Sequence, residues 1–135
     1  MAKPSDKELA EQLTPEQYEV TQHATTEPPF SGKLLKEKRS GVFRCVVCGS
    51  ELFSSDTKFD SGTGWPSFTD PMHREHVELV SDNSHGLQRV EVTCKSCGAH
   101  LGHVFEDGPV DRGGKRYCIN SCALEFQPEG ERKHS

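Results

Sequence analysis

Two copies of one short motif constrain this chain more than any other feature. Cys45-Val-Val-Cys48-Gly and Cys94-Lys-Ser-Cys97-Gly each hold two thiols separated by two residues. At that spacing one tight turn aims both sulfurs at a single ion. The repeat extends to Cys-x-x-Cys-Gly-x-x-Leu, ending at Leu52 and Leu101. Gly49 and Gly98 follow the second cysteine of each pair, where a knuckle turn calls for positive φ. Two such turns complete a tetrahedral thiolate site, so Cys45, Cys48, Cys94 and Cys97 are the expected ligands of one structural Zn2+. The duller readings fit less well. Structural disulfides want an oxidising compartment, and nothing suggests secretion. Two independent redox pairs want a strand-to-helix context that neither shows, and four inert core cysteines would not repeat so regularly. Residues 49–93 separate the pairs, so they must meet through the fold.

A metal staple suits the rest of the composition. Only 32% of the 135 residues are hydrophobic, enough for one domain with a modest core. The net charge of −5 argues against nucleic acid or an anionic membrane surface as partner. The polar N-terminus has no apolar signal core, and no stretch reaches transmembrane length. A cysteine-rich chain of this kind is expected in a reducing cytoplasm.

Residues 5 to about 23 read as a helical arm, with capping boxes at Ser5/Glu8 and Thr14/Gln17 and Pro15 at a first helical position. Glu27-Pro28-Pro29 ends it. A β region follows from about 41 to 126, with strand candidates at Val42–Arg44, His76–Val80, Gln88–Val92, Val104–Phe105 and Arg116–Ile119. Asp82-Asn83-Ser84-His85-Gly86 is a turn, and 127–135 reads as a frayed tail. A helical arm before an antiparallel β domain is the expected architecture.

Cys118 stands apart from the metal motif. On a strand, Arg116, Cys118 and Asn120 leave the same face, so a cation, a thiol and an amide project together. A nearby cation favours the nucleophilic thiolate. A buried, inert strand cysteine is the alternative. His100 and His103 follow the second knuckle directly and read as a rigidly mounted proton-donating pair. They are candidates for zinc too, although four thiolates already saturate a tetrahedral site. His73, His76 and His85 read as solvated surface. Trp65, in Ser61-Gly62-Thr63-Gly64-Trp65-Pro66-Ser67-Phe68, is either a loop aromatic covering the core or an apolar wall for a sulfur-bearing ligand. Cys122 is the remaining thiol. His73-Arg74-Glu75 followed by Cys94-x-x-Cys97 imitates a zinc deaminase, but Thr93 stands where proline is expected and Cys45 and Cys48 would be idle.

Together, Leu52 to Phe68, Cys97 to Phe105 and Arg116 to Ser121 closely resemble the type B methionine sulfoxide reductases, and Leu13-Thr14-Pro15-Glu16-Gln17-Tyr18 matches the family's N-terminal arm. The resemblance implies a mainly β fold of two antiparallel sheets around a small core, with zinc opposite the active site. It implies that Cys118 attacks the sulfur of methionine-R-sulfoxide in proteins or peptides, leaving a sulfenic acid. His103, His100 and Asn120 would polarise and protonate the oxygen. Trp65 would hold the ε-methyl group, with Phe105, Asp107 and Arg116 as further substrate-site positions. Thioredoxin or another thiol would be the reductant, and a monomer is expected. Thr63 departs from the family, since many relatives place a resolving cysteine there. Cys122 could replace it only if the chain bends at Ser121, because the extended span from Cys118 is too long for a disulfide. A zinc-stapled β module without catalysis is the competing class, and the joint presence of Cys118, His103 and Trp65 argues against it.

Overall fold

The computed structural model describes residues 6–82 and 89–129. Its helices are α1 (Asp6–Gln12) and α2 (Pro15–His23). Pro15 opens α2, where its missing N–H costs nothing. Thr14 and Gln17 form the expected capping box: the Gln17 amide donates to the Thr14 hydroxyl at 3.1 Å, and the Thr14 amide to the Gln17 side chain at 2.9 Å. The box expected at Ser5/Glu8 and most of the turn at Asp82–Gly86, including His85, lie outside the described residues.

Nine strands follow among the described residues: β1 (Gly41–Cys45), β2 (Glu51–Ser54), β3 (Lys58–Phe59), β4 (Ser67–Phe68), β5 (Val77–Asp82), β6 (Arg89–Cys94), β7 (His100–Phe105), β8 (Arg116–Ile119) and β9 (Leu124–Pro128). They form two antiparallel sheets, a three-stranded one in the order β2-β1-β9 and a six-stranded one in the order β3-β4-β8-β7-β6-β5. The mainly β architecture expected from the sequence is present. The tail expected to fray from Gln127 is not yet a tail there: Val42 pairs with Gln127 and Gly41 with Pro128, and Arg44 Nε donates to the Gln127 side chain at 2.7 Å.

Aromatic side chains from both sheets meet in the core. Phe53 of β2 stacks on Phe68 of β4 with ring centroids 4.5 Å apart, and Phe43 of β1 meets Phe68 edge-on at 5.1 Å. All three rings are fully buried. Each such pair contributes about 0.5–1.5 kcal/mol beyond its area, so the trio is a principal tie between the sheets.

Candidate active site and metal centre

The two cysteine motifs occupy equivalent corners. The first turns the chain from β1 into β2, the second from β6 into β7. Gly49 N–H donates to Cys45 O at 2.8 Å and Gly98 N–H to Cys94 O at 2.7 Å, with φ of 81° and 78°. Both glycines occupy the left-handed region that a side chain resists. Leu52 and Leu101, which close the repeat, are fully buried. The turns bring all four Sγ atoms within 4.8 Å of one another. Cys45 and Cys97 sulfurs lie 3.7 Å apart, and those of Cys48 and Cys94 3.6 Å. Two sulfurs bound tetrahedrally at about 2.3 Å stand about 3.8 Å apart, so these residues fit a zinc-sized ion. Hydrogen bonding to Cys48, then to Cys94 and Cys97, pushes the Cys45 thiol up, while its own bond to Cys45 pulls Cys94 down to about 2. Thiols this close do not ionise together unless a cation joins them.

The second cluster forms at the middle of the six-stranded sheet. Cys118 on β8 pairs with Ser67 of β4 on one side and with His103 of β7 on the other. A cavity of ≈ 180 Å³ opens over them, lined by Cys118, His103, Asn120, Trp65, Phe105 and Arg116 together with Thr26, Thr63, Arg89 and Gly102. The same-face projection of Arg116, Cys118 and Asn120 is therefore realised. Gly102 leaves room for this crowding: a Cβ there would stand 2.9 Å from Ile119 Cα and clash with the Cys118 carbonyl.

Burial pushes the Cys118 thiol up, opposed by the Arg116 guanidinium and by a hydrogen bond with the Thr63 side chain. Arg116 is itself held by Asp107, through Nε at 2.8 Å and Nη2 at 3.2 Å, and lies 4.6 Å over the Phe105 ring. Asp107 is exposed and does not line the cavity; it meets the site through Arg116.

The two histidines differ. His103 Nε2 is 2.7 Å from Asp82 Oδ2, and since a carboxylate only accepts, the ring N–H is the donor. Arg89 Nη2 lies 3.6 Å from the same oxygen. His100 donates from Nδ1 to Glu91 Oε2 at 2.7 Å and meets His103 edge-on at 5.5 Å. It is buried behind His103 and does not line the cavity. Desolvation lowers its pKa despite Glu91, and its buried Nε2 has no hydrogen-bond partner among the described residues. His73 and His76 are not solvated surface either. They are half-buried around Glu51, His76 Nδ1 at 2.7 Å from its carbonyl and His73 Nε2 at 3.4 Å from its carboxylate.

The sequence reading gave Asp82, Arg89 and Glu91 no part in the site, nor Glu27. Glu27 is only 2% exposed. Its carboxylate accepts from the Ser121 and Cys122 amides at 2.9 Å each, its amide donates to Asn120 Oδ1 at 3.0 Å, and its carbonyl accepts from Trp65 Nε1 at 2.9 Å. One residue of the N-terminal arm thereby holds the indole and the end of β8 together. Asn120 is fixed further by its bond to Leu101 O at 3.0 Å. The bend that Cys122 requires exists, as a 3₁₀ turn at Ser121–Ala123. Cys122 faces a different cavity, alongside Glu27, Leu34 and Phe126, and burial with the nearby Glu27 carboxylate pushes its thiol up.

A β fold with a thiolate knuckle pair and a thiol–imidazole–indole cavity defines a class, and residues 13–128 match the SelR domain family. The chain belongs to that family, the type B methionine sulfoxide reductases. It is 58% identical over 128 residues to proteins named peptide methionine sulfoxide reductase MsrB from Burkholderia mallei and Burkholderia pseudomallei, covering 95% of this chain and 90% of theirs. A Burkholderia thailandensis protein of that name is 56% identical, with the same coverage. Among solved structures, the Mis18 Yippee-like domain superposes with a TM-score of 0.52 at 18% identity, over 66% of this chain and 96% of that one, a likeness of fold alone. The chain is an oxidoreductase that reduces methionine sulfoxide. Among the described residues, no helix is long and apolar enough to cross a membrane.

Proposed function

We propose that the chain reduces the R epimer of methionine sulfoxide in proteins or peptides, with Cys118 as nucleophile. The observation that supports this best is the single small cavity shared by Cys118, His103 and Trp65. Cys118 sulfur attacks the sulfoxide sulfur; the oxygen, protonated as it departs, passes to Cys118 as a sulfenic acid, and methionine leaves reduced. His103 is the proton donor, since it faces the cavity, while His100 packs edge-on against it from behind. Asn120 carries a second amide hydrogen beyond its bond to Leu101 and steers the oxygen. Trp65 packs on the ε-methyl group. Methyl and oxygen so fixed leave one arrangement at sulfur, which selects an epimer. The test is turnover of the two separated epimers: R reduced and S untouched is expected, and equal rates would overturn the reading.

Asp82 is read as a positioning residue for His103. Asp82→Ala is expected to slow single-turnover methionine release by roughly 10- to 100-fold, part of the 10²–10⁴ that a lost general acid costs. Asp82→Asn keeps an acceptor for the ring N–H and should recover some of that rate. If the two variants are equally impaired, the hydrogen bond is not what matters.

For recycling we read direct reduction by an external thiol such as thioredoxin. Two thiols return the sulfenic acid to Cys118 thiol, giving their disulfide and one water. Thr63, at the family's resolving position, reaches Cys118 but carries a hydroxyl. Cys122 faces another cavity beside a carboxylate that disfavours its thiolate. One equivalent of substrate should therefore consume one free thiol, and a sulfenic acid trap should label Cys118. Loss of two thiols with a 118–122 disulfide would assign Cys122 as the resolver.

A zinc ion held by Cys45, Cys48, Cys94 and Cys97 would be structural, because four thiolates leave no open position for substrate. A reducing cytoplasm is the compartment this thiol chemistry suits.

A further inference from the structure

Beside the catalytic cavity runs a second, larger one of ≈ 320 Å³, and Trp65 walls both. Phe30 lines it and is 69% exposed. Its backbone is left-handed, φ 63°, a conformation that costs a bulky residue about 1–3 kcal/mol unless its surroundings impose it. The surroundings do so here. The Phe30 amide donates to Gly64 O at 2.7 Å, and its ring lies over Gly64, 3.0 Å from where a Cβ would stand. An exposed aromatic is thus fixed next to the indole rather than folded into the core.

The charge in this groove runs against that of the chain. The protein carries −5 overall, yet Lys36, Lys38 and Lys58 line the groove. Of the two carboxylates there, Glu37 is taken up by Arg39 through Nε at 2.9 Å and Nη2 at 3.0 Å, and Asp60 accepts from Gly62 N–H at 3.0 Å. Lys58 is fixed by donating to Leu35 O at 2.8 Å. Lys36 and Lys38 are exposed, so their ammonium groups are available to a partner.

Resting on the reductase reading above, we propose that this groove seats the polypeptide flanking the oxidised methionine and prefers acidic side chains there. Phe30 and Trp65 form its apolar shelf, and Lys36 and Lys38 its cationic rim. The shared indole places the flank two to four residues from the sulfoxide, at about 3.3–3.6 Å per extended residue.

The test compares peptides carrying one methionine-R-sulfoxide, with Glu or Lys at two to four residues on both sides. With the wild-type chain at low salt, kcat/KM for the Glu peptide should exceed that for the Lys peptide by about 3- to 10-fold, as two exposed ion pairs allow. The difference should lie in KM and shrink as salt is added. K36E/K38E should reverse the preference while reducing N-acetylmethionine-R-sulfoxide, which is too short to enter the groove, at the wild-type rate. Equal kcat/KM for the two peptides, or a preference that survives K36E/K38E, overturns the groove assignment alone. No turnover of N-acetylmethionine-R-sulfoxide by the wild-type chain overturns the reductase reading, and this one with it.

Discussion

Cys118→Ser should abolish methionine release altogether. A serine hydroxyl at neutral pH is a far weaker nucleophile than a thiolate, and it also cannot complete the reaction, because accepting the sulfoxide oxygen would make it a peroxide. The loss should exceed about 10⁴-fold in single turnover, within the range that deleting a nucleophile costs in other enzymes. The variant should fold. Cys118 is half-buried on β8, its strand partners are set by backbone pairing with Ser67 and His103, and serine is slightly smaller. His103→Ala, with the thiol intact, should retain a slow reaction, down by about 10²–10⁴-fold. The contrast separates the group that takes the oxygen from the group that protonates it. Methionine released at the normal rate by the Cys118 variant would remove Cys118 from the chemistry and leave Cys122, beside its carboxylate, as the only thiol outside the metal cluster.

What the sequence conveyed about this site was what depends on local spacing. Two residues between cysteines set the knuckle turns, and the alternation of a strand put Arg116, Cys118 and Asn120 on one face. The carboxylates behind the histidines depend instead on register. Glu91 stands opposite His103 in the β6–β7 register yet bonds His100, across an irregularity between Val92 and Thr93 that no composition signals. Arg89 and Glu91 alternate on a predicted strand and could have been flagged as inward charges, but their partners could not. Glu27 was hidden more thoroughly: it binds Asn120 across 93 positions, and its neighbours Pro28 and Pro29 read only as the end of a helical arm. Strands β3 and β4 have two residues each, too short for a period to show. β8 offers β4 an edge, and β4 in turn offers one to β3.

Cys45→Ser should cost the protein its metal and its fold together. Cys45 ends β1 in the three-stranded sheet and Cys94 ends β6 in the six-stranded one, so an ion bound by both knuckles cross-links the two sheets. Structural zinc contributes about 10–16 kcal/mol of apparent binding energy in small domains, against a typical net stability of about 5–15 kcal/mol. Losing a ligand therefore threatens the whole fold. Cys45 is also fully buried in the core, so serine there leaves a polar group in the apolar cluster as well as a three-coordinate site. Cys48, half-exposed, offers a control: Cys48→Ser removes a ligand with little change in packing. Metal content by atomic emission and thermal unfolding by circular dichroism should fall together in both variants, further in Cys45→Ser. Removing metal from the wild type with a chelator should lower its melting temperature too. A metal-free wild-type chain that unfolds cooperatively at the same temperature and keeps full activity would show that the knuckles need no ion to hold the sheets together.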